Sequence, residues 1–279
     1  MAEQVDVLAL RLGGPLQSWG GGTRFTTRGT LSHPTKSGVV GLCAAALGRP
    51  RGADLSDLAA LEFGVRTDRP GELLIDYHTM SAASHGPLAP KEQRLPTADG
   101  KMLKPGEGKI SRRYYLQDAV FTAAFAGRTD GQRDLLRRLE EALRRPRYPL
   151  FLGRRSCPPD RPVLIARFEG AAGAHRALSS LIPWQVPKWR RVRRREAPER
   201  LAVAFDHPEG EELIDDLPAG GAAFDRVFAH RPVRHDHIEP GRLPVGPEGS
   251  GPPQEEEDEP PLFDGEAALG LLPALNEEV

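Results

Sequence analysis

Cysteine is nearly missing from this sequence of 279 residues. Only Cys43 and Cys157 occur, which excludes a disulfide framework and leaves no cysteine spacing for zinc. No apolar run approaches the roughly 20 residues that a membrane span requires, so no membrane partner is expected. The start lacks a basic segment followed by a long apolar one. No secretory signal is read there, and the cytoplasm is the expected compartment. Aromatic residues are scarce at 6%, so the few that sit beside basic clusters carry weight. Lysine is scarce as well, at six of the 38 basic residues. No nucleotide fingerprint is complete. "GGGTRF" does not fit G-x-G-x-x-G, and "PTKSG" has Thr30 where a P-loop needs its first glycine. No cofactor is expected.

What is present is a split in charge. Of the 39 acidic residues nine lie in 249–279, which holds no Lys or Arg. Residues 1–248 therefore carry 38 basic against 30 acidic residues. A basic body suits a polyanionic partner. An arginine-rich composition alone produces the same surplus.

Hydrophobic alternation marks a strand over 5–12, followed by the glycine-rich stretch "GGPLQSWGGGTRF", 13–25. Residues 36–47 read as a helix whose small residues let it lie close to a sheet, with Pro34 and Thr35 at its start. A short helix passes into a second strand over 58–65, and 72–80 is a third strand. Residues 81–110 lose all periodicity and read as a projecting insertion between paired strands. The stretch 112–127 reads as one long strand and 129–146 as a helix. Thr129 and Gln132 fit a capping box there, with Leu135, Leu136, Leu139 and Leu143 as an apolar stripe. A further strand is expected at 148–153. This order suits an α+β chain of ferredoxin-like or RNA-recognition-motif plan, although other α+β sandwiches share it. Later segments read as strands at 161–168, 200–206 and 225–233 and as a helix at 174–182, compatible with a second, smaller unit. The Pro-, Gly- and Glu-rich residues 240–261 are expected to be linker or disordered.

Three stretches offer chemistry. Lys36 and Ser37 open a helix, where free backbone N–H groups and an ammonium suit a phosphate as well as an ordinary cap. "KISRRYY", 109–115, "GRRS", 153–156, and "KWRRVRRR", 188–195, place cations beside aromatics or glycine, a pattern for phosphate contact and base stacking. His33 with Tyr114 or Lys36 is a candidate set for metal-free RNA cleavage at a 2′-OH. The "HDH" triplet at 235–237 lacks the further ligands that a metal site needs.

"LALRLGGPLQSWG", "SHPTKSGVVGLCAAALG", "RRYYLQDAVF" and "YPLFLGRRSCPP" together resemble the Cas-five family of CRISPR-associated proteins, in the CasD-type form found in type I-E Cascade. The resemblance implies a modified ferredoxin-like, RNA-recognition-motif (RAMP superfamily) fold. It implies a core over 1–159 with a thumb β-hairpin inserted at 81–110, a strand-rich part over 160–247, and an added acidic tail over 248–279. It also implies a subunit that holds the 5′ handle of the crRNA and caps the backbone filament. Its neighbours would be the Cascade backbone subunit and the large PAM-sensing subunit, with target DNA met indirectly. Under this reading Gln17, Trp19 and Arg24 line the handle, with Trp19 either stacking on a base or packing into the protein, and Lys36 and Ser37 hold a phosphate. Lys101, Lys104, Lys109, Arg112 and Arg113 grip the strand, and Gly153, Arg154 and Arg155 close the pocket. Some relatives cut repeat RNA with a Tyr and a Lys-His pair. This sequence contains no Lys-His pair, so a non-catalytic role is expected, with a repeat-processing endoribonuclease as the alternative.

Overall fold

The computed structural model describes residues 5–20, 26–81, 100–101, 108–185, 199–222 and 225–239. Arg24, Lys104, the basic run 188–195, nearly all of the 81–110 insertion and the 248–279 tail lie outside them. The elements in chain order are β1 (Val5–Gly13), β2 (Leu16–Gln17), β3 (Thr27–Arg28), α1 (Lys36–Ala46), α2 (Ser56–Ala59), β4 (Glu62–Arg69) and β5 (Glu72–Ser81). They continue with β6 (Gly108–Gln117), β7 (Val120–Gly127), α3 (Asp130–Arg144), β8 (Leu164–Ala171), α4 (Ala174–Ser180), β9 (Leu201–Asp206), β10 (Glu212–Ala222) and β11 (Asp225–Ile238). The fold is mixed α and β, rich in strands, with largely antiparallel sheets.

One sheet runs β10-β11-β9-β4-β7-β1-β8, every adjacent pair antiparallel. Side chains alternate across it, and both faces are covered. Leu8, Leu10, Leu12, Phe63, Val65, Phe121 and Phe125 pack with α1 and the leucine stripe of α3. Val7, Ala9, Ala124, Ala126 and Val203 pack with Ala174, Ala177 and Leu178 of α4. All nine residues of β1 are therefore buried, including two charged ones. Asp6 is paired with Arg167 and Arg11 with Asp160. α3 carries the expected capping box of Thr129 and Gln132. Burial of each of its four leucines contributes about 1.5–3 kcal/mol.

The stretch 112–127 is two strands, not one. Asp118 adopts a positive φ of 57°, and its N–H donates to Pro15 O. This bend sends β7 into the main sheet and β6 into a second sheet, where it pairs with β5, β2 and β3. Residues 148–153 form no strand. The Leu152 N–H bonds Cys157 O and its carbonyl accepts from Ser18 N, so the segment is tied to loops on both sides. The strand that follows α3 in the main sheet is β8 instead. The C-terminal strands do not build a second unit of their own, because β9, β11 and β10 extend the same sheet beyond β4. β10 escapes a pattern search because Pro218 and its glycines interrupt it, which its place at the sheet edge tolerates. No helix among the described residues is long and apolar enough to cross a membrane.

Candidate nucleic-acid interface

The turn after β1 is built from the inside. Gln17 is fully buried, and its side-chain amide donates to Leu12 O at 3.0 Å and Ala119 O at 2.7 Å. Its oxygen accepts the Trp19 indole N–H at 3.0 Å. Trp19 is 1% exposed, and its ring lies against α1 so closely that a Cβ on Gly38 would stand 2.9 Å from it. The Trp19 backbone N–H donates to Thr30 Oγ1, and its carbonyl accepts from Leu31 N. Of the two arrangements open to Trp19, packing into the protein is the one found, and Gln17 lies beside it: every polar atom of the two side chains is used inside the core. A buried amide must find such partners, and the two strand ends at Leu12 and Ala119 supply them.

Gly153 and Arg154 join the same knot. Gly153 has φ +90°, and a Cβ there would lie 1.8 Å from Ser18 O. Ser18 also donates its hydroxyl to Tyr114 O. The Arg154 guanidinium donates to Tyr114 O, Arg28 O and Gly29 O at 2.8–3.1 Å and lies 4.8 Å from the centre of the Tyr115 ring. The planar fork of arginine fits three fixed carbonyls, so Arg154 acts as a strut between β3 and β6. The motif segments 13–19, 35–38, 112–117 and 152–157 therefore meet in one place, and their shared residues hold the turn.

The start of α1 is occupied from within the chain. Thr35 caps it by accepting from Gly38 N at 3.1 Å. The Lys36 N–H donates to Asp216 Oδ2 at 2.6 Å, and the Lys36 ammonium donates to Asp206 Oδ2 at 2.8 Å. Arg231 binds both carboxylates. Lys36 is 4% exposed. Burial lowers its ammonium pKa, and Asp206 opposes that shift. The site expected to hold a phosphate with Lys36 thus already holds the Asp216 carboxylate, which takes the Lys36 N–H and lies at the positive end of the helix dipole. Ser37 remains half-buried, with its hydroxyl 3.4 Å from Thr35 Oγ1.

His33 lies beside this network. Burial pushes its imidazole pKa down, and His235, 6.5 Å away between ring centres, adds to the shift. Ser32 is its hydrogen-bonding neighbour. With the Lys36 ammonium engaged by Asp206, the pair His33 and Lys36 is not a free base with a free cation. Neither thiol is a nucleophile in waiting. Burial pushes the Cys43 thiol up to about 12 and raises Cys157. His175 is approached by both Asp236 and Ser179 at the same ring nitrogen, which is not the geometry of a catalytic relay.

The cations of "KISRRYY" lie on the second sheet. Lys109 and Arg112 are exposed on β6, and Arg113 is half-buried with an Nε–H that has no partner among the described residues. Arg112 stands opposite Tyr77, on the β5–β6 face that also exposes Leu73, Ile75 and Ile110. Lys101 and Arg155 are exposed as well. Arg155 borders a cleft of about 950 Å³ between α1, residues 49–56, residues 148–155 and the β10–β11 hairpin.

Sequence reasoning missed Asp206, Asp216 and Arg231, a cluster whose two carboxylates meet Lys36 from 170 and 180 residues away. It also missed the fully buried Arg66, which binds Asp68 and the carbonyls of Leu178, Ile182 and Pro183. Arg66 and Asp68, two apart on one strand, share a face, and that was the available signal.

The model of the family described as CRISPR-associated protein (Cas_Cas5) matches residues 7–236. The CRISPR system Cascade subunit CasD of Escherichia coli (strain K12) is 38% identical over 184 residues, covering 63% of this chain and 77% of that protein. A solved structure described as a Cas protein matches with a TM-score of 0.62 at 38% identity, covering 86% of this chain and 99% of that one. A chain of a CRISPR RNA-guided surveillance complex matches with a TM-score of 0.68 at 32% identity, covering 88% and 95%. The chain belongs to the CRISPR-associated protein (Cas_Cas5) family.

Proposed function

We propose that this protein is a non-catalytic, RNA-binding subunit of a type I-E Cascade complex. It holds the 5′ handle of the crRNA and caps the backbone filament in the cytoplasm, between the backbone subunit and the large PAM-sensing subunit. It meets target DNA only indirectly. The observation that carries this reading is the family match over 7–236 together with a relative that is itself a Cascade subunit. The order β4-β7-β1-β8, antiparallel throughout with α1 and α3 on one face, supports a ferredoxin-like, RNA-recognition-motif core. The core of 1–159, the thumb at 81–110, the part over 160–247 and the tail over 248–279 belong to the same proposal.

Arg24, Lys101, Lys104, Lys109, Arg112 and Arg113 are the RNA-gripping residues in this reading, with Ser37, Gly153 and Arg155 along the backbone path. Gln17, Trp19, Lys36 and Arg154 serve it indirectly, by fixing the turn and the helix that carry those groups. The bare apolar strip of Leu73, Ile75, Tyr77 and Ile110 supports a protein neighbour on the β5–β6 arm.

Purification of the full chain with its co-expressed complex, followed by sequencing of the bound nucleic acid, tests the reading. RNA with one defined 5′ end is expected. Recovery of duplex DNA alone would overturn it. Incubation of the isolated protein with repeat RNA should leave the RNA intact. Specific cutting that His33→Ala abolishes would establish the endoribonuclease instead.

A further inference from the structure

The cleft beside α1 shares Gly153 with the knot of motif residues, and Ser37 and Arg155 with the proposed RNA path, but none of the β6 cations lines it. Its floor is the outer face of α1, at Ser37, Gly41, Ala44 and Ala45. These positions recur at helical spacing, and a Cβ on Gly41 would meet nothing within 4 Å. Tyr148 stands at the C-terminal end of α1, held there by its N–H to Ala45 O. Phe228 comes from β11, across the hairpin that Asp216 and Arg231 fasten to the helix start. Both rings are large and unusually bare, at 46% and 43% exposed. Arg51 and Arg155 are exposed on the same lining. A flat bare floor, exposed rings and guanidiniums at the rim match the chemistry of an unstacked base with its phosphates. The volume is of the order a small ligand or nucleotide occupies. The lining carries Arg49, Arg51 and Arg155 against the single carboxylate of Asp54, a cationic surplus for which an apolar protein segment has no use, so charge complementarity favours the polyanion.

We propose that this cleft takes an unstacked base of single-stranded RNA, with Tyr148 or Phe228 as the stacking ring and Arg155 on the adjoining phosphate. The proposal rests on the RNA-binding reading above and goes beyond it by assigning a base subsite away from the second sheet.

The full chain, titrated with a ten-nucleotide single-stranded RNA carrying 2-aminopurine, tests it by fluorescence. Tyr148→Ala and Phe228→Ala are expected to weaken binding, at least one of them by about 5- to 100-fold, with the salt slope unchanged. Arg155→Ala should weaken binding and reduce the salt slope by about 0.7. Gly41→Leu is the sharper variant. It replaces glycine inside a helix, where the Cβ has room, so the melting temperature should rise by about 2–4 °C. The leucine fills the floor, so RNA affinity should fall at the same time. A structural role alone cannot move stability and affinity in opposite directions. Unchanged affinity in Tyr148→Ala, Phe228→Ala and Gly41→Leu overturns the subsite while leaving RNA binding elsewhere intact. Intact RNA affinity with lost capture of a Cascade protein subunit in RNA-free buffer would make the cleft a protein interface instead. Failure of the unaltered chain to bind the RNA would overturn the RNA-binding reading and the subsite with it.

Discussion

Trp19→Phe separates a structural tryptophan from a base-stacking one. The Trp19 indole N–H is 3.0 Å from Gln17 Oε1, and both side chains are buried. Phenylalanine removes the donor and leaves that oxygen buried without this partner, at a cost of about 1–3 kcal/mol. The smaller ring also leaves space against Gly38 and adds about 1 kcal/mol. Together they destabilise the fold by about 2–4 kcal/mol. At about 2–4 °C per kcal/mol for a domain of this size, the melting temperature should fall by roughly 4–16 °C. Differential scanning fluorimetry reads this directly. Single-stranded RNA affinity, measured where both proteins are folded, should stay within about twofold. Combining Trp19→Phe with Gln17→Met should be non-additive by about 0.5–3 kcal/mol, because the two residues share one bond. An unchanged melting temperature with a tenfold loss of RNA affinity would place the ring on the nucleic acid and refute the argument.

Gly153→Ala forces a Cβ toward Ser18 O at a positive φ, and should cost about 3–5 kcal/mol in chemical denaturation; a cost below about 1 kcal/mol would show that the approach relaxes freely. Lys36→Met leaves the Asp206–Arg231 pair intact but withdraws one cation from a buried network, and should cost about 3 kcal/mol; a stability equal to that of the parent would show that the ammonium contributes nothing. The lowered pKa of His33 means that the unfolded chain takes up a proton before the folded one does as the pH falls through 6.5. Stability is therefore full above about 6.5 and declines below it, and His33→Gln should flatten that decline; an identical acid slope in the variant would sink the assignment.

Much of the local structure was legible in the sequence, because it is decided within a few residues. Thr129, Gln132 and the four leucines specify α3 by cap and period, and Thr35 specifies the start of α1. The family motifs were legible as text. Their meaning was not, because "GPLQSWG" reads equally well as a surface loop or as a plug. Only the register of β2 on β6, with Leu12 O and Ala119 O brought together, turns Gln17 and Trp19 inward. The 112–127 stretch reads as one strand signal, and nothing local predicts that Asp118 bends it between two sheets.

The sequence by itself determined α1, α3 and the strands β1, β4, β5, β8, β9 and β11, and that the start of α1 would demand an acceptor for its free N–H groups. The tertiary structure decided who answers. Asp216 and Asp206 arrive from strands 180 and 170 residues further on, with Arg231 between them. A helix terminus attracts any anion with equal chemistry. Whether that anion is a phosphate or the chain's own carboxylate depends on how β10 and β11 close over α1, and no local pattern carries that distance.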